Sequence, residues 1–215
     1  MKNDLSHGRI DQLIISFDNG LQTLFGQPSS TGRKNPDKNV LEQRLNDIDR
    51  NKSERLFRVN HAGEVSAQAL YQGQALTARD KTVRERMTQS AAEENDHLIW
   101  CESRLADLGG HKSYLNAFWY IGSFTTGLVA GLAGDKWSLG FVVETENQVV
   151  RHLDEHLEKL PLADQKGRAV LEQMKEDELH HANVALESGA VGLPIPIKKM
   201  MTLQSKIMTT LAYWI

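Results

Sequence analysis

The chain of 215 residues contains a single cysteine, Cys101, and carries little net charge. One thiol excludes an intramolecular disulfide framework and agrees with a reducing compartment. The net charge of −3 gives no overall attraction to polyanions, so the sequence predicts no nucleic-acid partner. Residues 1–7 hold no uninterrupted apolar stretch of the kind that forms a secretory signal, which predicts exposure to the cytoplasm.

Strand signals and a nucleotide-binding glycine motif are also missing. No Gly-x-Gly-x-x-Gly follows a predicted strand, which excludes a Rossmann site in this chain. Apolar residues recur instead at steps of three and four, in long stretches closed by Gly109-Gly110, Pro161 and Gly189. The predicted fold class is therefore all-α, with four main helices at residues 53–79, 82–108, 138–160 and 162–188.

A separate segment precedes these four helices. An amphipathic helix is predicted from apolar residues at helical spacing, namely Ile10, Leu13, Ile14, Phe17, Leu21, Leu24 and Phe25. Residues 26–39 are polar and rich in helix breakers, which predicts a mobile linker. We therefore divide the chain into residues 1–50, an N-terminal helix with a flexible linker, and residues 51–215, a bundle domain with a C-terminal helix.

One pattern of carboxylate and histidine occurs twice in the bundle. Glu64 is followed 30 residues later by the Glu of a Glu-x-x-His sequence, and Glu146 is followed 32 residues later by another. Helices joined by a tight turn place each such pair at one height. A four-helix bundle uses this spacing to direct four Glu and two His at two metal ions. The predicted metal ligands are Glu64, Glu94, His97, Glu146, Glu178 and His181.

Helical periodicity places each of these glutamates on the apolar face of its helix. Glu146 continues an apolar stripe, whereas Glu144 is turned by about 200° and is predicted to face water. By the same comparison, Glu93, Asp177 and His180 are predicted to point away from the core. Four buried carboxylates would strongly destabilise a core unless cations compensate them, and two divalent ions cancel four charges.

The ligand types limit the metal and its chemistry. Imidazole and carboxylate together suit iron or manganese, and six protein ligands on two metals leave positions open for dioxygen. A single Glu-x-x-His is often a solvated pair on a charged helix. Two copies, each with an inward Glu at matching height, favour the metal site.

Other polar residues receive lesser roles. His61, three residues before Glu64, could reach the metal site, but a hydrogen-bonding or solvated role is favoured. The pair His152 and His156 has an i, i+4 spacing that could bind a metal by itself, but a place at the surface is favoured. Arg58 and Asn60 could orient a ligand or close a helix end, and we assign them no catalytic role.

The sequence around the predicted ligands resembles a known family. Four strings are similar to the motifs of the di-iron demethoxyubiquinone hydroxylases, namely LFRVNHAGE at 56–64, EENDH at 93–97, VETE at 143–146 and DELHH at 177–181. The likeness runs from about Arg55 to the C-terminus, and by position it implies the same six ligands. A Val-Glu sequence supplies the third-helix ligand in other branches, which would select Glu144. Matching His152 to the family's histidine on that helix assigns the place to Glu146 instead.

The resemblance implies a ferritin-like four-helix bundle with two iron ions. The implied reaction is the penultimate hydroxylation in ubiquinone formation, in which one atom of dioxygen enters the ring of a polyprenylated demethoxy-benzoquinol and the other leaves as water. Electrons come from outside, from a reductase or from NADH through the bound quinone. The resemblance is compatible with a homo-oligomer or with a complex of ubiquinone-biosynthesis proteins.

Two other classes of function use the same fold. An iron-storage or peroxide-scavenging bundle has the same ligand set but needs no apolar flanks. A membrane-associated assembly protein with a structural metal would consume no oxygen.

Two apolar segments predict contact with a membrane. Residues 113–134 are 22 positions without a charge, long enough on paper to span a bilayer, but glycines and polar residues dilute them. A span would also separate the metal ligands, so we expect a buried crossover or an interfacial segment. The tail at 197–214 combines lysines, methionines and aromatics as interfacial helices do, with ordinary packing on the bundle as the alternative. We predict a peripheral protein on the cytoplasmic side of the cell inner membrane.

Overall fold

The computed structural model describes residues 9–26, 29–41 and 44–215. These residues form helices and turns without a strand, which confirms the all-α class. In chain order the helices are α1 (Arg9–Phe25), the 3₁₀-helix η1 (Pro36–Asn39), α2 (Asp47–Thr77), α3 (Lys81–Asp107), α4 (Asn116–Leu132), α5 (Asp135–Lys159), α6 (Gln165–Glu187) and α7 (Ile195–Trp214). The predictions for residues 1–7 and for the side chains of Ile10 and Leu13 lie outside the described residues.

Four of these helices, α2, α3, α5 and α6, form two hairpins at the predicted turns. Asp80 begins α3 by accepting hydrogen bonds from two backbone N–H groups of its first turn, and Asp164 does the same for α6 with one. Helix α2 begins at Asp47, six residues before the predicted start, because the Asn46 side chain accepts from the N–H of Asp49. Helix α2 therefore runs through residue 50, where we place the boundary between the two parts of the chain.

The bundle core consists of two apolar clusters with a polar layer between them. One cluster includes Phe57, Cys101, Leu153 and Met174, and the other includes Tyr71, Met87, Val142 and Ala185. On each helix the predicted metal ligands lie in sequence between a member of one cluster and a member of the other. The two apolar clusters enclose this layer on either side, which places the predicted ligands at mid-height of the bundle.

Helix α4 crosses between the two hairpins and packs tightly on α2. A Cβ added at Gly127 would lie 2.2 Å from the Leu70 carbonyl oxygen, and one added at Gly73 would lie 2.3 Å from that of Phe124. Only glycine permits this backbone contact. The opposite face of α4 is exposed and apolar, with Phe118, Ile121, Val129 and Leu132. Among the helices of the described ranges, none is long and apolar enough to cross a membrane.

Helix α7 packs on the start of α2. The Arg55 guanidinium lies 4.4 Å from the ring centroid of Trp214 and 5.5 Å from that of Tyr213. The outer face of α7 exposes Leu203 and Ile207. Helices α4 and α7 thus each combine a packed face with an exposed apolar face.

Candidate metal centre

Four buried side chains from three helices meet at mid-height of the bundle. Glu64, Glu94, His97 and Glu178 each offer one ligand atom, and these atoms all lie within 4.8 Å of one another. His97 Nδ1 is 3.1 Å from Glu94 Oε2, 3.2 Å from Glu178 Oε1 and 3.7 Å from Glu64 Oε2. A buried group of this composition could hold a metal ion.

The other two predicted ligands border this group. His181 Nδ1 lies 3.3 Å from both Glu94 Oε1 and Glu178 Oε2. Glu146 is buried on α5 and accepts a hydrogen bond from the Tyr71 hydroxyl, and besides burial the charges of Glu178 and Glu94 raise its pKa. The structure brings five of the six residues into contact, with two of the carboxylates between the two imidazoles, and places Glu146 within electrostatic reach of them. Their role as ligands stays a prediction.

Each imidazole is held on its outer side by an acidic residue. His97 Nε2 donates to Asp177 Oδ2 at 2.9 Å, and His181 Nε2 donates to Glu93 Oε2 at 2.7 Å. Because an ionised carboxylate only accepts, these bonds place the Nε2 proton outward and turn Nδ1 toward the glutamates.

The prediction that Asp177 and Glu93 point away from the site was wrong. Each reaches across to the imidazole of the other hairpin, which helical periodicity within one segment cannot show. A signal was nevertheless present in the sequence, because an acidic residue directly precedes the Glu of each Glu-x-x-His.

Burial and neighbouring charges shift the pKa values of this group in opposite directions. Burial raises the pKa of Glu64 and of Glu146 well above the usual range. Burial also opposes ionisation of Glu94, but the His97 charge and hydrogen bonds from both imidazoles outweigh it and hold the pKa of Glu94 low. Burial lowers the pKa of His97 and of His181, but the surrounding carboxylates outweigh this effect and raise both pKa values. The raised pKa values of Glu64 and Glu146 indicate that two imidazoles do not compensate four ionised carboxylates, and divalent cations would supply the missing positive charge.

On α5 the predicted register is confirmed for Glu146, which is 1% exposed, and corrected for Glu144. Glu144 was predicted to face water but is 8% exposed. Lys198 Nζ of α7 lies 2.9 Å from its Oε2, and Gln148 Nε2 donates to its Oε1 at 2.9 Å. The prediction failed because the periodicity of α5 cannot show that α7 covers this face. His180 is exposed, as predicted.

Three further histidines have pKa values that are lowered by burial, so they are neutral near pH 7. Burial lowers the pKa of His61 to about 3, that of His152 to about 4 and that of His156 to about 2. His61 receives a hydrogen bond at Nδ1 from Asn116 Nδ2 at 3.4 Å, which confirms the hydrogen-bonding prediction. His156 is buried and its ring lies 3.8 Å from that of half-buried His152. Their surface prediction was wrong, since an i, i+4 spacing shows only that both share a face, not which face is covered.

A cavity of about 480 Å³ reaches the candidate metal-binding group at Glu64 and Glu178. Its walls come from α2, α4, α5 and α7 and are mainly apolar, and its rim includes the exposed Phe118 and Met200. Asn60 lines the cavity one turn before Glu64, and among the described residues neither atom of its amide has a hydrogen-bond partner. An apolar path with a polar inner end therefore leads from the surface to the candidate centre.

Fold and site together define a class of protein: a ferritin-like helical bundle in which carboxylates and an imidazole from three of the four long helices meet in a buried group that could hold a metal ion. The family model described as ubiquinone biosynthesis protein COQ7 matches residues 51–212, and the chain belongs to this family. The expected family resemblance is thereby confirmed.

Relatives extend the similarity over the whole chain. Proteins named 3-demethoxyubiquinol 3-hydroxylase are similar to it in several bacteria. That of Nitrosococcus oceani is 56% identical over 207 residues, covering 96% of this chain and 97% of the relative. That of Nitrosomonas europaea is 54% identical over 206 residues, covering 96% and 99%. That of Coxiella burnetii (strain RSA 493) is 51% identical over 216 residues and covers both chains fully.

Proposed function

We propose that this chain is a monooxygenase that hydroxylates the ring of a polyprenylated demethoxy-benzoquinol at a di-iron centre, in the penultimate step of ubiquinone biosynthesis. The main support is the position of Glu64 and Glu178, which belong both to the buried metal-binding group and to the wall of the apolar cavity. The names of the relatives support the same substrate class.

The six clustered residues would hold two iron ions, with the Nδ1 atoms of His97 and His181 facing the carboxylates between them. Iron, when bound, supplies the dioxygen chemistry that side chains cannot perform. The protein contributes the geometry, because Asp177 and Glu93 fix the rotation of the two imidazoles. The choice of iron over manganese rests on the family.

The cavity fits a molecule with a polar ring and an apolar tail. Its inner end offers the Asn60 amide, which can donate to one ring oxygen and accept from another. Its outer walls, from α4 and α7, would take the isoprenoid tail. This orientation brings the ring toward Glu64 and Glu178 and excludes water from the reacting carbon.

The electrons for this reaction come from outside the chain in our proposal. A reductase would deliver them to the centre, or NADH would deliver them through the bound quinone. The two routes differ in a simple assay, since only the second gives turnover with NADH and quinone when no other protein is added.

The chain would carry out this reaction as a peripheral protein on the cytoplasmic side of the cell inner membrane. The exposed apolar faces of α4 and α7 border the cavity rim, and Lys199 and Lys206 on α7 supply cations suited to anionic lipid. We expect the protein to float with anionic vesicles and to be released by alkaline carbonate. Resistance to carbonate, with the two ends of residues 113–134 cleaved from opposite sides, would instead establish a spanning segment.

Labelled dioxygen tests the reaction itself. Iron-loaded protein, reductant and a demethoxy-quinol should incorporate one labelled oxygen atom into the ring, with about two irons per chain. Label that arrives from water would exclude a monooxygenase. Storage of many irons per chain without quinol turnover would favour an iron-storage or peroxide-scavenging bundle.

A further inference from the structure

Residues 29–33, which we call the strap, lie on α3 and α6 next to the metal-binding group. The COQ7 family model begins at residue 51, so the strap lies outside the part that defines the family, whereas the relatives cover it. The sequence predicts a mobile linker here. The described hydrogen bonds from the strap to the helices end on two acidic residues, Asp96 and Asp177, each next in sequence to a proposed ligand.

The first contact anchors the strap to α3. The Ser30 hydroxyl and the Thr31 backbone N–H donate to Asp96 Oδ1 at 2.7 and 3.0 Å, and the Thr31 hydroxyl donates to Asp96 Oδ2. Asp96 is buried and directly precedes His97. A buried carboxylate needs such donors, so the strap supplies hydrogen bonds that α3 alone does not provide.

The second contact leads directly to an imidazole. Arg33 Nη2 donates to Asp177 Oδ1 at 2.9 Å and to Oδ2 at 2.7 Å, and the guanidinium lies 5.0 Å from the Trp100 ring centroid. Asp177 in turn accepts from His97 Nε2 at 2.9 Å. The chain of contacts therefore runs from Arg33 through Asp177 to His97.

We propose that the strap is a positioning element of the metal centre, in which Arg33 fixes Asp177 and thereby holds His97 with Nδ1 toward the carboxylates. Arg33 is about one-third exposed, so its ion pair adds little to the free energy of folding. Its effect falls on geometry, because a carboxylate held at both oxygens cannot rotate away from the imidazole. This inference rests on the proposed metal site.

Cobalt(II) titration of the full-length metal-free protein tests the proposal, with visible absorption as the readout. Arg33→Ala should weaken Co²⁺ binding at the site of His97 by about tenfold, at the lower end of the effect of outer-shell partners, and Arg33→Lys should restore part of it. Lys34→Ala changes the exposed neighbouring cation and is the matched control. Far-UV circular dichroism of each variant verifies that the helices are intact.

A double variant separates positioning from a general effect. If Arg33 acts through Asp177, Arg33→Ala combined with Asp177→Asn should bind Co²⁺ no more weakly than Asp177→Asn alone. In metal-free protein, the ¹⁵N shifts of the His97 ring should also change in Arg33→Ala but not in Lys34→Ala. Additive effects, or Co²⁺ affinity in Arg33→Ala equal to that of the control, would overturn the proposal. Failure of the unchanged protein to bind Co²⁺ would instead contradict the proposed metal centre.

Discussion

Two pairs of buried histidines in the same bundle have pKa values that are shifted in opposite directions. His97 and His181 are 0% and 6% exposed, and His61 and His156 are 1% and 5% exposed, so burial does not distinguish them. Nevertheless, carboxylates raise the pKa of the first pair against the effect of burial, whereas burial lowers the pKa of the second pair to about 3 and about 2.

The charged neighbours of each pair account for the opposite directions of the pKa shifts. The first pair faces Glu94 and Glu178, whereas the charge effects on the second pair come from basic residues, namely Lys112 on His61, and His152 and Lys159 on His156. Burial alone makes an imidazole neutral, and carboxylates reverse that effect. The bundle thus has a buried place that favours positive charge, and it coincides with the candidate metal centre.

The largest expected effect comes from removing a carboxylate shared by the first pair. In Glu178→Ala, His97 Nδ1 and His181 Nδ1 lose acceptors at 3.2 and 3.3 Å, so we expect the protein to lose bound iron and quinol hydroxylation. Iron per chain after loading and desalting is the measurement. His180→Ala, on the exposed side of the same helix, is the control and should keep its iron. Full iron occupancy in Glu178→Ala would remove this site from consideration.

The same assay tests the register of α5. Glu146→Ala should lose iron, because this residue lies in the core beside the cluster. Glu144→Ala should retain it, because Glu144 pairs with Lys198 of α7 instead. The opposite result would show that the family's Val-Glu pattern, rather than the apolar stripe, identifies the ligand.

A smaller effect is expected from the outer partner of His181. Glu93→Gln keeps a hydrogen-bond acceptor at 2.7 Å from Nε2 but removes the charge, so metal affinity should fall by about 10- to 100-fold. The rate of iron loss to a chelator measures this change. Glu85→Gln, at an exposed position two turns earlier on α3, should lose iron at the unchanged rate. Equal rates for the two variants would mean that the Glu93 charge does not support the centre.

Local patterns in the sequence could predict the helices and the inward glutamates. Helical periodicity and breaker residues depend on neighbours within a few turns, so the hairpin turns and the burial of Glu146 followed from them. The early start of α2 was also readable, since Asn46 followed by Asp49 is a helix-capping pattern.

Packing between distant segments could not be predicted in this way. Asp177 meets His97 across 80 residues, Lys198 covers Glu144 from a helix beyond the bundle, and His156 is enclosed by tertiary contacts. The contacts of Arg33 belong to the same class. The sequence therefore showed which residues carry the chemistry better than it showed which residues hold them in place.

The cavity is lined by neighbours of both pairs of histidines and allows a more selective test. Glu64 and Glu178, which lie next to His97, line it, and so does His152, whose ring lies against that of His156. Asn60→Leu removes the unpaired amide from this wall and with it both hydrogen bonds proposed to the ring, so a demethoxy-quinol should bind at least about tenfold more weakly, since each such bond contributes about 0.5–1.5 kcal/mol. Equilibrium binding of quinols with short and long tails measures it.

Tail length distinguishes a ring contact from a general defect. Asn60→Leu should weaken the binding of short-tailed and long-tailed quinols by the same factor. Phe118→Ala at the rim should weaken the binding of long-tailed quinols more than that of short-tailed ones. The thermal stability of Asn60→Leu should not fall, because the variant removes two buried groups without partners. A lower melting temperature with unchanged quinol affinity would show that Asn60 supports the fold rather than the ring.

The smallest expected effect concerns stability as the pH falls, measured on metal-free protein. The pKa of His61 is about 3 in the folded state, below the usual value of about 6.5, so the unfolded chain binds the proton first. His61 therefore costs no stability near pH 7 and lowers stability progressively below about pH 6.5. Between pH 7 and pH 5.5, we expect the free energy of unfolding of the unchanged protein to fall by about 1 kcal/mol more than that of His61→Gln, in which this titration is absent.

Urea unfolding at both pH values measures this difference in stability. The candidate metal-binding group is present in both proteins, so its contribution to the pH dependence cancels in the comparison. His180→Gln, at an exposed histidine, is the control and should follow the unchanged protein. Parallel pH profiles for His61→Gln and the unchanged protein would show that His61 accepts a proton in the folded state, and the contrast between the two pairs of histidines would then fail.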